Sequence, residues 1–246
     1  MSTSHPSTAP ASDDGRAPVR ASAERLKAFT DAVVAIAMTV LVLPLMESVT
    51  DLGGEGGGVA EWFERHGGQL MSFTLSFVLI AMFWLTNHRV FARLERTTPA
   101  LLWLSVAWMF TIVWLPVPTA MLGSMEEDDA QKAVYVGSLI VTSLVSLAIR
   151  WYLLRHPGLH DESPVRLRRG ILADAISAVL FSLALLISIT VPAIGYWAMF
   201  LLVLVSPLHA LVSRLFERGA RGERGERGGR GAPDGAATAR PDADGE

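Results

Sequence analysis

The chain contains no cysteine, which excludes disulfides, thiolate metal sites and a cysteine nucleophile and leaves the redox compartment unmarked. Compact enzyme signatures are missing too. There is no His-Glu-x-x-His pair for zinc, no Gly-x-Ser-x-Gly nucleophile turn and no Gly-x-x-x-x-Gly-Lys phosphate loop. The 6 histidines are scattered. The expectation is a protein that is not an enzyme and carries no cofactor. Basic side chains are scarce in one set of connections, where only Arg65 and Lys132 occur.

Apolar residues, by contrast, are abundant and blocked. They make up 51% of the 246 residues, and the mean hydropathy is +0.38. Six segments, 26–46, 69–87, 99–121, 133–154, 168–190 and 192–212, approach the length of about 20 residues that a bilayer core of about 30 Å requires. Lipid offers no partner to open backbone groups, so the spacing predicts an all-α, six-helix, multi-pass bundle over 25–215. Lysine and arginine lie before the first span (Arg16, Arg20, Arg25, Lys27), between spans two and three (Arg89, Arg93, Arg96), between four and five, and after six. By the positive-inside rule both termini are cytoplasmic, and the plasma membrane is the expected location. The opposite loops carry acids, including Glu47, Asp51, Glu61, Asp128 and Asp129, a surface able to attract cations. Residues 1–24 are rich in Ser, Ala and Pro and read as a disordered tail; without an early apolar region, no cleaved signal is expected. Residues 216–246 form a Gly- and Arg-rich tail in which Glu alternates with Arg, so a solvated tail without nucleic acid is expected.

Everything else is organised around 25–45, RLKAFTDAVVAIAMTVLVLPL. Asp31 lies inside this span, where a carboxylate costs about 2.5–3.5 kcal/mol on insertion scales, so it needs an ion-pair partner or a task. Ile36, Thr39 and Leu43 share one helix face, with Phe29 near the same line, whereas Asp31 lies about 140° from Ile36. That face either packs on lipid or another helix, or faces a symmetry axis. Pro44 can close the span, and Asp51 to Gly58 reads as a flexible loop, followed by a short interfacial turn at 60–66. Near the cytoplasmic surface, Arg25, Asp31, His88, Arg169 and Asp174 reach one depth, where they either satisfy one another or extend separately to water. Pro116 and Pro118 loosen the outer end of the third span, as a pore mouth or as a plain terminus. Ser138, Thr142, Ser143 and Ser146 suit the fourth span to close helix contact, and Arg150 and Arg155 form its basic exit. An ion-coupled carrier places charge at the midplane, whereas Asp31 and Asp174 sit near one surface, which favours a passive pathway.

Arg25, Phe29-Thr30-Asp31, Ala35-Ile36 and Thr39 resemble the Arg-x-x-x-Phe-Ser-Asp signature of the transmembrane protein 175 family of potassium channels, known from endosomes, lysosomes and bacteria. Phe83-Trp84 with His88, Leu101-Leu102-Trp103-Leu104 and Leu115-Pro116-Val117-Pro118-Thr119-Ala120 are similar to that family as well. The resemblance implies a homotetramer in the lipid bilayer whose pore is lined by the first helix and conducts potassium passively. Ile36 and Leu43 would form an apolar constriction and Thr39 a hydroxyl ring, while Arg25, Thr30, Asp31, His88 and Asp174 would belong to a structural polar network. Thr30 replaces the family's Ser, and Asn87 stands where bacterial relatives carry a second His. No TVGYG-type filter occurs. Hydroxyl rings are softer cages than stacked carbonyls, so modest preference for potassium over sodium is expected. A non-conducting membrane scaffold and an ion-coupled transporter are the alternatives.

Overall fold

Two prolines set the shape of the bundle by breaking spans that hydropathy alone reads as continuous. The computed structural model describes residues 17–54, 58–124 and 128–190. These form α1 (Ala17–Val40), α2 (Leu43–Gly54), α3 (Val59–Phe91), α4 (Pro99–Trp114), α5 (Pro116–Ser124), α6 (Asp129–Arg155) and α7 (Pro164–Thr190), with a 3-10 turn at Pro157–Leu159. The pairs α1–α2 and α4–α5 each make one span, so five candidate membrane spans are present among the described residues. No strand occurs among them beyond an isolated bridge between Leu94 and His160. The expected sixth span at 192–212 and the tail at 216–246 lie outside the described residues, as does most of the tail at 1–24.

Several expected boundaries move. The helix begins at Ala17, inside the stretch read as a disordered tail, because Pro18 is tolerated in a first turn and Arg, Ala and Glu continue it well. Pro44 does not close the first span. It sits in the first turn of α2, where its missing N–H is not needed, and the backbone stays helical to Gly54, through the first part of the stretch expected as a loop. Residues 60–66 belong to α3, set off only by a kink at His66 (φ −111°, ψ 15°).

α1 packs on α3 and α4, α3 on α5, and α6 on α4, α5 and α7. The α1–α2 span is held by Ala23, Leu26, Thr30, Val34, Ala37, Leu41, Leu45 and Ser48, all buried. Their steps of three, four and four residues make an 11-residue repeat of about 3.67 per turn, which keeps one face inward through the break at Leu41 and Val42.

Since lipid is as apolar as leucine, helices in a bilayer are joined by close packing and hydrogen bonds. α4 and α6 follow that rule. Trp108 Nε1 donates to Ser146 Oγ at 3.0 Å, and Trp114 Nε1 donates to Ser138 Oγ at 3.0 Å, an antiparallel register using two members of the expected serine and threonine series. A second link joins α3, α5 and α6: Ser76 Oγ lies 2.9 Å from the Tyr135 hydroxyl and 2.8 Å from Thr119 Oγ1. Tyr135 is fully buried, so Tyr135→Phe is expected to lower stability by about 1 kcal/mol, the net worth of such a bond. A melting midpoint in detergent equal to that of the parent chain would show that Ser76 and Thr119 close the link without it.

Candidate functional site

The span made by α1 and α2 presents two faces of opposite character. One carries the buried repeat. The other leaves Phe29, Ile36, Val40, Leu43 and Met46 uncovered, with Ile36 62% exposed and Leu43 51% exposed. Side chains of this size and exposure have no cover among the described residues. Thr39 lies on the same open side, and its Oγ1 donates to the Ile36 carbonyl at 2.7 Å. Its single proton is thereby engaged, so the hydroxyl has only acceptor lone pairs left to offer.

The other end of α1 is polar and joined to α3. Trp84 Nε1 donates to Asp31 Oδ1 at 2.8 Å, and His88 Nδ1 lies 3.1 Å from the same oxygen. Trp84 and His88 are one helical turn apart, which places both rings on the face that meets α1. Thr30 is buried, and its hydroxyl donates locally to the Leu26 carbonyl at 2.9 Å. Arg25 is exposed near the start of the span. Asn87 is buried, and among the described residues its Nδ2 has no hydrogen-bond partner.

The layer expected to unite Asp31 and His88 with Asp174 divides in two. Asp31 and His88 meet; Asp174 instead accepts from Arg150, Nε to Oδ2 at 2.6 Å. The reason is packing order, since α1 lies against α3 and α4 whereas α7 lies against α6. Arg150, expected at the basic exit of its span, is buried with Asp174. Two partners were thus missed from sequence. Trp84 was singled out only as part of the Phe83-Trp84 motif, with no polar partner assigned to its indole N–H. Arg150 carried a signal, a full turn or more of apolar residues between it and Arg155.

These features define a polytopic helical membrane protein whose first span is packed on one side and open on the other. Residues 25–116 match the family described as endosomal/lysosomal potassium channel TMEM175. A potassium channel of Streptomyces collinus is 33% identical over 144 residues, covering 56% of this chain and 67% of that protein. A potassium channel of Chamaesiphon minutus is 28% identical over 136 residues, covering 52% of this chain and 64% of the relative. The fold is similar to the crystal structure of a lysosomal potassium-selective TMEM175 homolog from Chamaesiphon minutus, with a TM-score of 0.56, 21% identity, and coverage of 78% of this chain and 98% of that one. The chain belongs to the TMEM175 family.

Proposed function

We propose that the chain is a passive potassium-permeable channel of the plasma membrane, a homotetramer with α1 at its axis and both termini in the cytoplasm. One observation carries this: the open face of the α1–α2 span sets Ile36, Thr39 and Leu43 in line, opposite the face that packs into the subunit. The names of the Streptomyces and Chamaesiphon relatives supply the ion. Around a fourfold axis, rings of Ile36 and Leu43 narrow the path and oppose a fully hydrated cation, while Thr39 oxygens replace part of its shell. Few ligands of this kind give modest preference for potassium over sodium. Arg25, Thr30, Asp31 and His88 hold α1 in place near its start, and Arg150 with Asp174 joins α6 to α7 away from the ion path.

Proteoliposomes under a potassium gradient test this. Ile36→Ala and Leu43→Ala are expected to raise cation flux by widening the rings, and Thr39→Val to lower the preference for potassium. Val33 packs on the core and cannot serve as a control; the control is Phe110→Ala on the outer side of α4, where Phe110 is 69% exposed. Flux and preference unchanged in all three α1 variants would put the path elsewhere. No flux from the parent chain would favour the scaffold, and flux only with a coupled gradient the transporter.

A further inference from the structure

Pro44 and Pro116 break their spans in the same way, yet the consequences differ. Each proline lacks the N–H that the carbonyl four residues earlier would accept. For Pro116 that carbonyl is Ile112, and the Leu115 N–H takes it over at 3.2 Å, closing the gap. For Pro44 the carbonyl is Val40. There the Val42 N–H turns instead to Thr39, at 3.2 Å, and among the described residues no group donates to the Val40 oxygen.

A carbonyl left open inside a membrane span is tolerated where it is buried in protein or lines a water-filled cavity, and not against hydrocarbon. Val40 is not buried; it is 39% exposed and lies on the open side of α1 with Ile36 and Leu43. Carbonyls of a helix point along its axis toward the C-terminal end, so the Val40 oxygen projects from the level of Thr39 toward that of Leu43. An open acceptor in the midst of this apolar face needs a wet or cationic partner.

We infer that Pro44 is a specificity-determining residue: by removing one amide it frees the Val40 carbonyl, which adds a ring of backbone oxygens beside the Thr39 hydroxyls as direct ligands for a partly dehydrated monovalent cation. This rests on α1 lining the pore. Carbonyl dipoles are the ligands that replace a potassium hydration shell most fully, so the backbone ring contributes discrimination that hydroxyls alone do not.

Pro44→Ala and Pro44→Ser each restore the missing N–H, which can then bond the Val40 oxygen and straighten the break. In proteoliposomes both are expected to conduct while the potassium-to-sodium permeability ratio falls about fivefold, the factor to which the loss of ~1 kcal/mol corresponds. If the ratio holds at the parent value in these variants while Thr39→Val lowers it, α1 lines the pore but the Val40 carbonyl is not a ligand. If neither Pro44 nor Ile36, Thr39 and Leu43 variants alter flux or ratio, the pore assignment fails and the inference falls with it. A second measurement reads the carbonyl directly and needs only a conservative variant: carbonyl-13C valine labelling, with Val40 assigned by difference against Val40→Ile, should show the Val40 amide I band shifting when potassium is exchanged for N-methylglucamine. A band that does not move overturns the assignment.

Discussion

Asp174→Ala is expected to cost about 3–5 kcal/mol, the loss that follows when one member of a buried ion pair is removed and the other charge stays. The Arg150 and Asp174 side chains are only 10% and 7% exposed, and the guanidinium meets the carboxylate at 2.6 Å. Arg150 has little room to swing away, since its guanidinium lies directly over Gly170, where any Cβ would overlap it. The glycine is therefore part of the pair: it lets α7 approach α6 closely enough for the charges to meet. Melting and monodisperse recovery in detergent should both drop in Asp174→Ala. Pairing Asp174→Leu with Arg150→Met should recover most of the loss, because apolar residues of similar volume often replace a buried ion pair without penalty. Parent-like melting of Asp174→Ala alone would mean that water reaches the arginine.

Asp31→Ala should act on assembly more than on ion contact. Its carboxylate is the shared acceptor of Trp84 Nε1 and faces His88, so the substitution leaves the indole N–H without that partner. Asp31 and His88 side chains are each 34% exposed, so water offsets part of the loss and the expected cost is about 1–2 kcal/mol per subunit. In the homotetramer proposed above the cost would be incurred in every subunit, enough to reduce recovery of the assembly on size-exclusion chromatography. Asp31→Asn keeps an oxygen for Trp84 and should assemble better than the alanine variant. An Asp31→Ala channel that assembles fully but loses preference for potassium would assign the acid to the ion path instead.

What the sequence made legible was periodicity and depth. The buried and open faces of α1 differ in position on a helical wheel, so Ile36, Thr39 and Leu43 could be set apart from Asp31 before any coordinates. Asp31 and His88 could be placed at one level by counting inward from helix ends. Adjacency between helices was not legible in the same way. Counting from the helix ends sets Asp174 and Asp31 at one depth, but α7 meets α6 while α1 meets α3, and hydropathy carries no trace of that order. Arg150 illustrates the matching error: a basic residue near a span end reads as a positive-inside marker, whereas its burial depends on which side of α6 faces α7. The prolines misled differently. Pro44 looked like an end because proline breaks a helix, yet a helix restarts around a proline in its first turn, as α2 and α5 both do.

The connections 92–98 and 156–163 are tied by backbone bonds: the Glu95 and Arg96 amides both donate to the Leu159 carbonyl, at 2.9 and 3.1 Å, and the Asp161 amide donates to Arg93, at 3.0 Å. Glu162 adds contacts to Arg93 and Arg166 at 3.1 and 3.2 Å. Two hairpin tips clasped in this way form a single plate. The α3–α4 and α6–α7 corners cannot swing independently, so a force applied to either is delivered to both, and the opening of one exposes the other. In hydrogen exchange, the amides of Glu95, Arg96 and Asp161 should therefore exchange together, as one cooperative unit, with a common rate distinct from that of the helix ends they join.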